Sequence, residues 1–160
     1  MNVILRVLRL LSLVVWVGGL TFFASVEAPT AFHVFGTTRQ FAQLIGDSVS
    51  QLNQLGYISG FIFLIATAML WLRAWGRRRW LLLAQIAVVV LMLAAAVYVQ
   101  AGILPAMERD RIAAGGDITA APASNPARLD FERLHPISEK VEGTALFLGL
   151  AVTILMAFEG

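Results

Sequence analysis

Three stretches of this sequence are long and apolar enough to cross a lipid bilayer as α-helices, and with a fourth, shorter apolar stretch they constrain the fold more than any other feature. The three long stretches are residues 3–26, 52–75 and 80–104. A hydrocarbon core about 30 Å thick requires roughly 20 helical residues, and each stretch reaches that length. Since 59% of the residues are hydrophobic and 14% are charged, lipid is the expected solvent for most of the chain.

The fourth stretch must extend beyond its apolar part. Residues 143–158 are 16 uncharged residues, which make a helix of about 24 Å, too short for the hydrocarbon core. Pro136 suits the first turn of a helix, so we predict a span at 136–158 that carries Glu142 below the membrane surface. The predicted fold class is an all-α integral membrane protein, a four-transmembrane-helix bundle in a single domain of residues 1–160.

The first stretch has some features of a secretory signal peptide. Arg6 and Arg9 precede an apolar run, and small residues come before Ala28. Pro29 would directly follow the one plausible cleavage point, after Ala28. We therefore expect this segment to be a first spanning helix that the protein retains.

Positive charge predicts the orientation of the bundle, because Lys and Arg in short flanking segments are retained in the cytoplasm. One side carries six Arg and one Glu, a net charge of +5, and the other carries six basic and nine acidic residues, a net charge of −3. We predict cytoplasmic termini and a cytoplasmic turn at 76–79. The expected membrane anchors are Trp75, Arg77, Arg78, Arg79 and Trp80. The three Arg residues are expected to determine the topology or to contact anionic lipid.

The two outer connections, residues 27–51 and 105–135, differ in character. The first mixes large apolar side chains with polar ones at helical spacing. This pattern predicts a short amphipathic helix on the outer surface, between helices 1 and 2, or a polar extension of the second span. Within the second, residues 113–127 are mostly small or turn-forming and predict a mobile loop.

Small residues indicate where helices approach one another, because association in lipid depends on close backbone packing. The second span contains a G-x-x-x-G motif, and glycines in the first and fourth spans also allow close approach of a neighbouring helix. Packing inside one bundle and a homodimer seam both fit this pattern. The glycines concerned are Gly18, Gly19, Gly56, Gly60 and Gly149.

Ionisable side chains at membrane depth are costly and are therefore candidates for function. On the fourth span, helical spacing places His135, Glu139 and Glu142 on one face, and Glu27 and His33 follow the outer end of the first. His and Glu ligands could hold a divalent cation, a tentative site comprising Glu27, His135, Glu139 and Glu142.

Three other interpretations of the same residues stay open. His33 and His135 could ligate haem iron from opposite sides. Glu142 could exchange protons or cations along a pathway. Alternatively, His135 caps the helix, and Glu139 and Glu142 lie among lipid headgroups, near the positive end of the helix dipole.

Enzymatic and nucleic-acid functions lack support in the sequence. The chain has no Cys, and it has no nucleophile elbow, phosphate-binding Gly-rich loop or H-E-x-x-H motif. Its small excess of Arg forms no basic stripe interleaved with aromatic residues. We expect a protein that is not an enzyme and does not bind nucleic acid.

Several short motifs follow one another along the chain. They are Trp16-Val-Gly-Gly-Leu-Thr-Phe-Phe, Ala28-Pro-Thr-Ala-Phe, Gly46 before a polar helix start, and Phe131-Glu-Arg-Leu-His-Pro-Ile-Ser. Together they resemble the family of transmembrane protein 205, whose bacterial members are small four-helix membrane proteins catalogued as a domain of unknown function. Where that family has Asn seven residues after the His, this chain has Glu142.

The resemblance implies a multi-pass protein of the bacterial inner membrane. Our leading hypothesis is a non-enzymatic membrane protein, a homo-oligomer or an accessory subunit of a larger complex, whose outer polar cluster binds a cation or cofactor. A small cation, proton or metal transporter is the first alternative. A bis-histidine haem protein is the second.

Overall fold

The computed structural model describes residues 2–36 and 38–159 and contains four long helices. All four are apolar and long enough to cross a membrane. This confirms the predicted fold class, a four-helix membrane protein. The helices are α1 (Val3–Phe35), α2 (Arg39–Trp71), α3 (Gly76–Ala113) and α4 (Pro126–Ala157).

The helices pack in chain order around the bundle. The α1 helix packs along α2, α2 along α3 and α3 along α4, and α1 and α4 close the ring with much less contact. An open groove of about 750 Å³ lies on this α1–α4 side, and Gly18 is one of its lining residues. The bundle is therefore tightly closed on three sides and less so on the fourth.

The core of the bundle is centred on large apolar side chains from all four helices. Trp16, Phe63, Met92 and Val152 are fully or almost fully buried and belong to one cluster. They come from α1, α2, α3 and α4 in turn. Each helix therefore directs one face inward, and the remaining apolar side chains point outward, as expected where lipid surrounds the bundle.

Two helices continue well beyond their apolar stretches. A π-helical turn at Phe23–Glu27 precedes Pro29 in α1, and another at Val99–Ile103 precedes Pro105 in α3. The wider turn accommodates a proline, which lacks an N–H group and crowds the preceding turn. As a result α1 extends to Phe35, and α3 continues past Pro105, where we expected the span to end.

The α4 helix also begins earlier than the sequence pattern indicated. Pro126 lies in its first turn, and the Asn125 side chain caps it by accepting hydrogen bonds from the N–H groups of Ala127 and Arg128. Pro136, which we expected in the first turn, lies inside the helix. Because the cap and the first proline are both upstream, the charged segment before Pro136 is helical as well.

The glycines that we predicted to mediate packing occupy different surroundings. A Cβ atom at Gly56 would lie 2.6 Å from Nε1 of Trp16, and one at Gly149 would lie 2.5 Å from Cγ2 of Val17. Gly19 and Gly60 likewise face close side chains of neighbouring helices. Gly18 has open space at that position among the described residues.

Candidate functional site

Glu142 lies on α4, and its side chain points into the bundle, toward α2. Asn53 of α2 approaches its carboxylate, and Tyr57, one turn further along α2, lies within electrostatic range. The Glu142 side chain is partly buried, and its Oε1 atom is enclosed without a hydrogen bond from any described residue. One oxygen of this enclosed carboxylate is therefore left without a donor.

Polar side chains next to this carboxylate link α2 to α3. Asn53 is buried, and its Nδ2 atom donates to Oε1 of Gln100 at 3.4 Å. Gln100 Nε2 donates in turn to Oγ of Ser50 at 3.0 Å. The Tyr57 hydroxyl donates to a backbone carbonyl of α3 at 3.2 Å. The amide and hydroxyl groups near Glu142 are thus held in place by contacts with α3.

His135 and Glu139 lie together but point away from the bundle interior. His135 Nε2 is 3.4 Å from Glu139 Oε1, and the two side chains are 51% and 67% exposed. The Phe131 ring stacks on the His135 ring, with the ring centroids 6.1 Å apart. Helical spacing did bring these two side chains together, but Glu142, three residues further on, turns inward.

The other residues predicted at the outer face are spread over separate places. The Glu27 carboxylate accepts a hydrogen bond from the Ser48 hydroxyl, and His33 is exposed on the part of α1 that follows Pro29. Within residues 2–36 and 38–159, no group of three or more His, Asp or Glu side chains comes close enough to hold a metal ion. His33 and His135 are both exposed, so neither lies in the interior where a haem would be enclosed.

The predicted membrane anchors lie at the opposite end of the bundle. Trp75 and Trp80 are 84% and 73% exposed. The Arg79 guanidinium lies 4.5 Å above the centre of the Trp71 ring. Arg77 is exposed as well. Their positions suit indole and guanidinium groups at the membrane interface.

A second buried polar site, which sequence reasoning missed, joins three helices at this Arg-rich end. Arg9 of α1 is fully buried, and both of its terminal nitrogens donate to the carboxylate of Glu159, just beyond α4. Gln85 of α3 accepts from Arg9 and donates to Oε1 of Glu159 at 2.7 Å. The Phe63 ring lies 5.2 Å from the guanidinium. Most polar atoms of the ion pair therefore have a hydrogen-bond partner, and the pair is shielded from solvent.

The ion pair changes the acidity of Glu159. Burial by itself raises the pKa of this carboxyl, but the hydrogen bonds from Arg9 and Gln85 and the nearby positive charges outweigh it. The pKa of Glu159 is therefore held below its usual range. The carboxylate stays charged while Arg9 is paired with it.

One signal in the sequence could have identified Arg9 as an interior residue. It lies four residues after Leu5 and seven before Trp16, which is the spacing of one helix face. Both neighbours are buried apolar residues. An Arg on an apolar face at a helix end indicates an internal partner as readily as it indicates membrane topology.

Comparison with known families identifies the chain. The model of a domain of unknown function, DUF4149, matches residues 11–111. The chain belongs to the DUF4149 family. Membership in a family of unknown function was expected, and this match confirms it. The resemblance to transmembrane protein 205 stays a prediction.

The DUF4149 match covers most of α1, all of α2 and nearly all of α3. It includes Asn53, Gln85 and Gln100, whereas Arg9, Glu142 and Glu159 lie outside the matched segment. No curated protein matches the chain, and no solved structure matches it either.

Proposed function

We propose that this DUF4149 protein is a non-enzymatic membrane protein that binds a proton or a monovalent cation at Glu142. The observation that carries the proposal is the enclosed Oε1 atom of Glu142, which accepts no hydrogen bond from the described residues. An ionised carboxylate in such a place carries a large desolvation cost unless a positive charge compensates it. A proton or a bound cation supplies that charge.

The surroundings of Glu142 favour a singly charged ligand. One carboxylate supplies one negative charge, and its neighbours Asn53 and Tyr57 offer uncharged oxygen atoms. Oxygen ligands suit hard cations. A divalent ion or a haem would need further carboxylate or imidazole ligands, and His33, His135 and Glu139 are exposed.

Further predictions about cellular context accompany this proposal. We propose that the Arg-rich end faces the cytoplasm of a bacterial cell and that Glu142 lies in the outer half of the inner membrane. We also propose that the protein works as a homo-oligomer or an accessory subunit of a larger complex. The open groove between α1 and α4 supports an additional helix partner, because Gly18 there meets no side chain of the described residues.

Infrared spectroscopy of the purified protein in nanodiscs tests the proposal directly. A pH titration should reveal the C=O stretching band of a protonated carboxyl that Glu142→Gln removes. Glu139→Gln is the matched control, because it makes the same change on an exposed side chain of the same helix. The control should leave the band in place.

Cation binding is tested in the same preparation by exchanging choline chloride for sodium or potassium chloride at constant ionic strength. If a cation binds, thermal stability should rise with one of the metal ions in the parent protein and not in Glu142→Gln. The proposal fails if Glu142→Gln removes no protonated-carboxyl band and the ions leave stability unchanged. Ion or proton flux into proteoliposomes, reduced by Glu142→Gln, would establish the transporter alternative.

A further inference from the structure

A pocket of about 390 Å³ lies at the turn between α2 and α3, far along the chain from Glu142. Three indole rings and one guanidinium surround it, together with a glycine and a leucine. The lining residues are Trp71, Trp75, Gly76, Arg79, Trp80 and Leu83. This pocket combines aromatic walls with a cationic group at the Arg-rich end of a membrane protein.

The segment that forms this pocket carries only positive charge. Residues 71–84 contain four Arg and no Asp or Glu. Arg79 stacks over the Trp71 ring, and none of the ion pairs among the described residues includes it. A stacked guanidinium keeps its N–H edge available for an anion with oxygen atoms.

One residue of the pocket lining has an unused hydrogen-bond donor. Nε1 of Trp71 is enclosed and donates to no acceptor among the described residues. A buried donor without an acceptor is costly. A ligand oxygen that accepts from this N–H group would remove that cost. The first turn of α3 begins at Gly76 without a side-chain cap, so its N–H groups add to the positive field.

We propose that this pocket binds the phosphate group of an anionic phospholipid, with Arg79 as the charged ligand and the tryptophan rings as its walls. A lipid fits better than a free anion because the apolar side chains of Trp80 and Leu83 continue the pocket along α3. Trp75 and Trp80 are strongly exposed, as expected for indoles at headgroup level. The pocket therefore offers a cationic group to the lipid headgroup and apolar side chains to the acyl chain.

Native mass spectrometry in mild detergent measures this binding. The ligands compared are phosphatidylglycerol, phosphatidylcholine and inorganic phosphate. Phosphatidylglycerol should bind most tightly, and Arg79→Gln should weaken it at least about fivefold, the change that ~1 kcal/mol for one basic residue corresponds to. Arg77→Gln is the matched control, since Arg77 is exposed and does not line the pocket.

Two further variants separate a defined site from general charge attraction. Trp71→Phe keeps the ring and the net charge but removes the N–H donor, and it should also weaken phosphatidylglycerol binding. Arg79→Lys should retain part of the affinity, which shows that the loss in Arg79→Gln does not reflect misfolding. Equal weakening by Arg77→Gln and Arg79→Gln would overturn the proposal. So would equal binding of phosphatidylcholine, or tighter binding of inorganic phosphate.

Discussion

Two carboxylates, Glu142 in the middle of α4 and Glu159 just beyond its end, have opposite surroundings. The Glu159 side chain is 7% exposed, and it accepts hydrogen bonds from a fully buried Arg9 and from Gln85. Glu142 is partly buried, and one of its oxygens accepts none from the described residues. Both carboxylates therefore lie away from water, but only Glu159 has a countercharge in contact with it.

This difference shows that burial alone does not distinguish a structural charge from a functional one. A buried charge with a complete set of partners has a fixed role in holding helices together. A buried charge without a partner requires a proton, an ion or another ligand. We therefore propose that Glu159 stabilises the bundle and that Glu142 binds a ligand.

The largest expected effect is the loss of Arg9. Arg9→Leu should destabilise the protein by roughly 3–5 kcal/mol, because it leaves the carboxylate of Glu159 buried without its countercharge. Unfolding in mixed detergent micelles measures this change. Arg6→Leu is the control, since Arg6 lies on the same helix and is exposed.

A double variant sharpens this prediction. Arg9→Leu combined with Glu159→Leu should recover much of the lost stability, because no unpaired charge then stays behind. If Arg9→Leu and Arg6→Leu have the same effect, Arg9 acts only as a surface charge. The contrast between the paired carboxylate of Glu159 and the unpaired carboxylate of Glu142 would then be lost.

A smaller effect is expected from acid. The folded-state pKa of Glu159 is lowered, so its contribution to stability is present above its unfolded pKa of about 4.3 and is lost as the pH falls through the folded value. The effect is smaller than removing Arg9, because a protonated carboxyl still accepts hydrogen bonds. Thermal unfolding between about pH 6 and pH 3 should show a steeper loss in the parent protein than in Glu159→Gln. Parallel curves would contradict this role of Glu159.

The smallest effect on stability is expected at Glu142. Glu142→Gln should change the free energy of unfolding by less than about 1 kcal/mol, or raise it, because it removes a carboxylate whose burial is not compensated. The same unfolding assay, carried out near neutral pH without added sodium or potassium, measures the change. A loss of stability as large as that of Arg9→Leu would mean that Glu142 has a structural partner. The comparison between the two carboxylates would then fail.

Part of the candidate site could be predicted from the sequence. The length of the fourth apolar stretch predicts that Glu142 lies below the membrane surface, and the structure directs its side chain toward Asn53 and Tyr57. Helical spacing also placed His135 beside Glu139. The spacing could not tell which part of that face turns toward α2, because this depends on how α4 is rotated in the bundle.

The partner of Arg9 could not be predicted from the sequence. Sequence reasoning treated Arg9 as a determinant of orientation, because charge counting considers only local segments. Its partner Glu159 lies 150 residues away along the chain. Only the packing of α1, α3 and α4 at one end of the bundle brings the two side chains together.

The sequence by itself determined that this chain forms four spanning helices, because the length and hydropathy of each stretch depend on local composition and on the thickness of a bilayer. It also predicts that a carboxylate lies within the fourth span. Only the tertiary structure decided which buried charge has a partner. Such pairing depends on distances between helices, and no local pattern in one helix encodes them.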